Sequence, residues 1–209
     1  MEKIVRVIIP PEPIVLPSDI AGIHGDDDAA VAAMIQAVTE EIDGPSGWVG
    51  RALGKQTLEL MLKSWPSCEF KLPYPPIITD VSVAYADEAG AEQFVDEDQY
   101  TVSDGRFWFA SGWAAPTLGE HPFPVRIRYE AGYDGEDVES GGTGPVPERA
   151  RQAIILSVQS LKSLGAENLF LRSEEVEGVG TTQYTVSDQA GAVIKRASES
   201  LLSTLVVYA

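Results

Sequence analysis

The spacing of apolar residues along this chain changes period twice. Asp26-Asp27-Asp28 lead into an alanine-rich stretch in which Val31, Ile35, Val38 and Ile42 recur at steps of four, three and four. That is one apolar stripe on a helix that ends near Gly44-Pro45, with acids capping the positive end of its dipole. A calcium loop is the other use of such an acid run. It would need alternating ligands, a central glycine and a distal bidentate glutamate, and none is present. From Gln56 the period falls to two: Leu58, Leu60 and Leu62 alternate with Thr57, Glu59, Met61 and Lys63, which predicts a strand. Ile77 to Tyr85 alternates in the same way, and Asp87-Glu88-Ala89-Gly90 turns it back into Glu92 to Val95. Asp104-Gly105, between Tyr100–Ser103 and Arg106–Phe109, is the strongest hairpin signal in the chain, and Val125 to Glu130 predicts one more strand.

The helical period then returns. Glu136 to Gly144 is an acidic, glycine-rich loop, and Pro147 suits the first turn of a helix. Ala150, Ala153, Ile154, Leu156, Val158, Leu161 and Leu164 give that helix a broad apolar face. The run Ile154-Ile155-Leu156 predicts burial nearly all round, as in a central bundle helix or a subunit contact. Gly165 ends it. Leu169-Phe170-Leu171 forms an apolar patch, Ser173 to Gly180 is acidic and flexible in composition, and Thr182 to Val186 suits a short strand. A last helix is expected over Ala190 to Val206, with Val193, Ala197, Leu201 and Leu205 on its stripe.

The expected fold class is therefore α+β: a mainly helical core, a bundle of about three to four helices, with a small antiparallel β-subdomain inserted at about residues 56–130. Residues 1–25, with four prolines by Pro17, read as an extended N-terminal arm; 26–164 read as the core, and 165–209 as a C-terminal extension carrying the last helix.

Composition narrows the function. At 209 residues, 44% hydrophobic and 22% charged, the chain can bury a sizeable core. No apolar run approaches the ~18–20 residues of a membrane span. The apolar stretch at Met1 to Ile9 is short and broken by Arg6, so no export signal is expected. The single cysteine, Cys68, excludes an intrachain disulfide, fits a reducing compartment and has no nearby base to activate it. The net charge of −17 is uneven: residues 56–150 carry 17 acidic side chains against 6 basic, whereas 151–209 carry 6 against 5. An acidic surface repels phosphates, which argues against gripping nucleic acid but is compatible with a wall that DNA passes without sticking.

Catalytic chemistry is not evident. His24 and His121 each stand alone, without a second His or Cys at metal spacing. There is no G-x-S-x-G elbow, Walker loop or dinucleotide fingerprint, and Gly178-Val179-Gly180 reads as a hinge or turn. Asp96-Glu97-Asp98 is not a glycosidase pair in so acidic a chain. No catalytic, metal or cofactor-binding residue is expected. Phe107, Trp108, Phe109 and Trp113 could stack bases or sugars, but without lysines nearby, packing in the core or at a protein interface is favoured.

Several short motifs fall in a distinctive order: Asp26-Asp27-Asp28 opening a helix, Gly50-Arg51-Ala52-Leu53 with Gln56-Thr57 entering a strand, then Trp65-Pro66 and Leu72-Pro73-Tyr74-Pro75-Pro76-Ile77. Arg126-Ile127-Arg128-Tyr129-Glu130-Ala131-Gly132-Tyr133 follows, and then Pro147-Glu148-Arg149-Ala150-Arg151-Gln152-Ala153-Ile154. In this order the chain resembles the head–tail connector (adaptor) proteins of long-tailed bacteriophages, prophages and gene transfer agents. The resemblance spans most of residues 14–164. It implies a structural virion protein at the head–tail junction, made in the bacterial cytoplasm, without catalysis or membrane contact. It also implies a ring of about twelve copies beneath the portal, extending the DNA channel. The implied partners are the portal protein, a tail-side stopper or tail terminator protein, and neighbouring copies of the chain. DNA would pass without specific binding.

Two surfaces are expected to serve such contacts. The C-terminus is apolar to its end, and Leu201, Leu205, Val206, Val207 and Tyr208 are expected to dock on the portal or a neighbouring copy, the alternative being closure of the chain's own core. Trp108 on the Asp104-Gly105 hairpin, with Trp113, is expected to face a ring neighbour or tail-side partner. Loop 134–144 is expected to be mobile until a partner orders it. The rival function is a non-enzymatic carbohydrate- or peptide-binding module using the aromatic β insert; an uncharacterised hydrolase is a more distant third.

Overall fold

The computed structural model describes residues 3–163, 174–176, 180–182 and 188–207. They divide into two compact units. One, the β unit, holds Met1–Glu12, Ile42–Val146 and Val206–Ala209; the other, the helical unit, holds Pro13–Glu41 and Pro147–Leu205.

Eight strands build the β unit: β1 (Lys3–Ile9), β2 (Gln56–Leu62), β3 (Phe70–Lys71), β4 (Ile77–Ala86), β5 (Glu92–Phe94), β6 (Tyr100–Ser103), β7 (Arg106–Phe109) and β8 (Val125–Ala131). Five of them form an antiparallel sheet in the order β1-β2-β8-β4-β5, and three form a second in the order β3-β7-β6. One core lies under both sheets. Leu58, Leu60 and Leu62 of β2, Val125, Ile127 and Tyr129 of β8, and Phe107 of β7 are each fully buried in it. The two-residue period predicted for β2 puts its three leucines on that face. The Asp104-Gly105 turn joins β6 to β7 with both residues at positive φ (50° and 68°), as a two-residue primed turn requires.

The other face of β2 departs from a solvated polar row. Thr57 and Glu59 are buried, Glu59 with only 2% of its surface exposed. Register explains how a carboxylate is tolerated there. Arg6 of β1 and Arg128 of β8 lie opposite Glu59 on its two sides. Arg6 donates to Oε1 (2.6 Å and 2.9 Å) and Arg128 to Oε2 (3.1 Å), so both oxygens are satisfied by charge-assisted bonds. Lys55–Glu130 (3.2 Å) and Arg126–Glu92 (3.0 Å) add further pairs within this unit.

The helical unit holds α1 (Ala29–Ile42, whose last residue falls in the β unit), α2 (Glu148–Ser163) and α3 (Asp188–Leu202), with a two-stranded ribbon of β9 (Glu174–Val176) and β10 (Gly180–Thr182). Asp28 caps α1: its Oδ1 accepts from the backbone N–H of Ala30 (3.1 Å) and Val31 (3.2 Å). All four residues of the predicted stripe, Val31, Ile35, Val38 and Ile42, are buried. The segment before α1 is strapped to α2. Arg151 donates to the Ile14 carbonyl and to Asp19 (both 3.2 Å), and Lys162 donates to the Ala21 carbonyl (2.9 Å) and meets His24 Nε2 (2.6 Å).

Three expectations are corrected. The helical core with a small β insert gives way to a β-rich chain: among the described residues ten strands accompany three helices, and the larger hydrophobic core belongs to the sheets. Counting helical stripes overweighted the helices, because β1, read as part of an arm, pairs with a strand about fifty residues away, which no local pattern reveals. α2 is also not buried all round within the single chain, as a central bundle helix would be. Ala150, Ala153, Ile154 and Val158 are buried, but Leu161 is 43% exposed. On α3 the buried row is Ser198 and Leu202, with Val193 64% exposed, so the face is turned by one residue from the predicted stripe. This row carries the contact with α2: Ser198 bonds Ser157 of α2 (3.2 Å) and the Ile194 carbonyl (3.1 Å). Leu164, Gly165, the Leu169–Leu171 patch and all of Thr182 to Val186 beyond Thr182 lie outside the described residues.

Replacing Glu59 by Ala should lower stability by about 1–3 kcal/mol, because it leaves two arginines without their shared acceptor. Arg6→Ala should cost less, since Arg128 still holds the carboxylate. Urea unfolding midpoints measured at one pH would rank the two.

Candidate assembly surfaces

Three motif-bearing segments converge in the β unit. Asp43, immediately after α1, is the organising side chain. Its Oδ1 accepts from Leu53 N–H (2.6 Å) and Gln56 Nε2 (3.1 Å), and its Oδ2 from Gly54 N–H (3.2 Å). These bonds hold the turn that feeds β2. Burial raises the Asp43 carboxyl above its ordinary range, although the bonds from Leu53, Gly54 and Gln56 pull the other way. The second segment arrives through backbone bonds: Ala52 N–H donates to the Pro75 carbonyl (3.2 Å) and Gly132 N–H to the Pro76 carbonyl (2.9 Å). The third follows β8: Tyr133 N–H donates to the Leu53 carbonyl (3.2 Å), and Tyr129 Oη to the Pro73 carbonyl (3.0 Å). Gly132 sits at φ +113°, and a side chain there would strike the Gly54 carbonyl. The stretches Gly50–Gln56, Pro73–Ile77 and Tyr129–Tyr133 are thus one junction, although up to about eighty residues separate them in sequence.

The end of the chain also meets this junction. Val207 N–H donates to the Val49 carbonyl (2.8 Å), and Gly50 (φ +69°) leaves room for the Val207 backbone that a Cβ would fill. Val49 is fully buried and its neighbour Trp48 is 46% exposed. Leu201, Leu205, Val206 and Val207 are half-buried, while Leu202 is the buried residue of this stretch. Tyr208 lies outside the described residues. Periodicity passed over Asp43. Its only local signal is an acid at a helix end just before Gly-Pro, and its partners lie ten to thirteen residues on.

The aromatic residues mostly face one another. Phe109 stacks on Trp113 with ring centroids 3.7 Å apart, and both meet the Trp65 ring edge-on at 5.6 Å and 5.0 Å. Phe107 lies 5.1 Å from Phe109 and 5.5 Å from Tyr100, and Trp65 Nε1 donates to the Pro116 carbonyl (2.8 Å). Trp113 and Phe109 therefore spend a ring face on each other. Trp108, opposite Thr101 on the hairpin, alternates to the other side of β7 and is half-buried.

The acids of the middle block are of two kinds. Glu59, Glu69, Glu92 and Glu130 are paired with arginine or lysine. Glu88, Asp96, Glu97, Asp98, Glu136, Asp137 and Glu139 are exposed on loops. Loop 134–144, expected to be mobile, has its own bonding: Asp134 Oδ1 accepts from the backbone of Glu136 (3.0 Å) and Thr143 (2.9 Å), and Thr143 Oγ1 donates to the Gly132 carbonyl (2.8 Å). Partial burial opposes ionisation of Asp134, but the bonds from Thr143 and Glu136 outweigh it and hold its carboxyl below the ordinary range. Among the described residues no group of His, Cys, Asp and Glu is arranged to hold a metal ion, and no helix is long and apolar enough to cross a membrane.

No family model matches the chain, and no curated protein does. Solved structures do. The fold matches a chain in the neck of an empty gene transfer agent particle, computed with C6 symmetry, with a TM-score of 0.61 and 18% identity over 99% of this chain and 96% of that one. A chain in the neck of the native particle, computed with C12 symmetry, gives the same values. A chain in the virion of the native gene transfer agent particle matches at a TM-score of 0.61 and 17% identity over 98% of this chain.

Asp43→Ala should destabilise the fold by about 2 kcal/mol, because it leaves the buried N–H groups of Leu53 and Gly54 without an acceptor. Asp43 also has a pH signature. With its folded pKa raised, its titration favours the folded state most below the unfolded value of about 3.9, and this contribution is lost as pH rises through the folded pKa. Wild type should therefore lose ground to Asp43→Asn as pH rises through that window, read as the difference between their melting temperatures.

Proposed function

We propose that this chain is a non-enzymatic structural protein of the neck of a phage-like particle: a head–tail connector that forms a ring of about twelve copies under the portal. The observation that carries the proposal is the match to neck chains over 99% of this chain and 96% of theirs. A fold shared at that coverage extends through both units rather than resting on one common substructure. The step from fold to role is one of analogy. It is supported by the junction, where three of the motifs that resemble connector proteins meet: Gly50–Gln56, Pro73–Ile77 and Tyr129–Tyr133.

In this role the portal protein lies on one side of the ring and a stopper or tail terminator on the other. The C-terminal residues Leu201, Leu205, Val206, Val207 and Tyr208 provide contacts to the portal or a neighbouring copy, with Trp48 exposed beside the point where Val207 is anchored. Trp108, with Trp113 packed nearby in the same unit, provides a contact to a ring neighbour or tail-side partner. The exposed acids of the loops suit a channel wall, because like charge keeps packaged DNA from adhering as it passes. The protein acts in the particle at the head–tail junction.

Mixing the full chain with the portal protein from its own genomic neighbourhood, followed by mass photometry and negative-stain imaging, tests the proposal. A ring added to the narrow end of the portal is the expected result; no association across several salt concentrations, with the portal intact, would overturn it. Trp108→Ala should weaken ring or tail-side assembly at least several-fold without changing the melting temperature by more than a few degrees. Unchanged assembly would remove Trp108 from the interface.

A further inference from the structure

We propose that copies of this chain join through opposite edges of the five-stranded sheet, the β1 edge of one copy meeting the β5 edge of the next. The inference rests on the connector reading, and it names the surface that would make the ring.

Within the β unit, β1 and β5 are the two ends of the sheet, each paired on one side only among the described residues. Edge strands present unpaired N–H and C=O groups and usually carry features that block further pairing. Here the two edges differ in sign. β1 carries Lys3 and Arg6, both exposed, in a protein of net charge −17; Arg6 shares the single Glu59 carboxylate with Arg128, so that group keeps one positive charge in excess. All three residues of β5 are exposed; Glu88, Asp96 and Glu97 stand on its flanking turns, while Glu92 on the strand itself is paired with Arg126. Simple blocking of an edge works with either sign. Opposite signs at the two ends of one sheet are what a head-to-tail contact between identical chains needs, since copies with this net charge otherwise repel.

Geometry agrees with charge. Every neighbour in the sheet is antiparallel, so the first and fifth strands run in the same direction. Continuing the sheet into the next copy would therefore set β5 beside β1 in parallel. One cross-strand row runs Ile4, Met61, Arg126, Ala84, Phe94. Its two ends are large apolar side chains left in solvent, Ile4 43% and Phe94 68% exposed. A lateral repeat of the sheet brings Phe94 of one copy against Ile4 of the next, covering both. The contact is heterologous, and such contacts close into rings when the rotation per copy allows it.

Cross-linking within the assembly on the portal tests the contact. With the exposed Cys68 replaced by Ser, Ile4→Cys and Phe94→Cys are introduced together, and a short bismaleimide is added after mixing with the portal. The double variant should give a ladder extending well beyond dimers on a denaturing gel, and neither single variant should exceed a trace of dimer. Lys3→Glu in the double variant should reduce the ladder several-fold, with restoration by Glu88→Lys. Rings visible by imaging but without a ladder would overturn this contact and leave the connector reading intact. Efficient dimers from Ile4→Cys alone would also overturn it, by indicating a symmetric β1–β1 contact. Absence of any ring would remove both.

Discussion

A single buried carboxylate sets the layout of the β unit. Asp43 gathers two backbone N–H groups and the Gln56 side chain, and in doing so determines where β2 begins. β2 is paired on both sides, so its starting point sets the register of β1 and β8. The same turn holds Val49, whose carbonyl receives Val207 from the far end of the chain. Burial works against the charge on Asp43 and hydrogen bonding works for it, and a site balanced in this way is sensitive to losing any one partner.

Glu59 plays a complementary part. It lies on the face of β2 away from the leucines, and its two oxygens are divided between arginines on the neighbouring strands. A one-residue slip of either neighbour would turn its arginine to the other face and leave a buried carboxylate with half its partners. Packing of Leu58, Leu60 and Leu62 favours the same register. Polar and apolar faces of β2 thus select a single pairing.

Electrostatics separates the inside of the fold from its outside. Glu59, Glu92 and Glu130 of the sheet are each paired with arginine or lysine, whereas Glu88, Asp96, Glu97, Asp98, Glu136, Asp137 and Glu139 are exposed outside it. The cohesion of the β unit is therefore largely independent of the charge on its exposed loops. The aromatic residues follow the same division. A run that reads like a binding platform is mostly turned inward, because stacking Phe109 on Trp113 and packing Trp65 against both buries ring surface in the unit's own core.

Local features were legible without the structure: the Asp28 cap and the α1 stripe, the Asp104-Gly105 hairpin, and the alternation of β2 and β4. Each is decided by neighbours within a few residues, through capping, turn dihedrals or periodicity. The order of motifs also pointed to connector proteins, and solved neck chains share the fold at 18% identity. What went unread was non-local. The balance between sheet and helix depended on β1 crossing to β2, and the buried row of α3 is the one that meets α2, where Ser198 bonds Ser157. Asp43 and Glu59 looked like two acids among 32 until the fold supplied their donors. Sequence alone determined the short-range elements, whose energies depend on nearby residues; the tertiary structure decided which polar groups are buried and which faces are covered, because burial depends on partners brought together from distant parts of the chain.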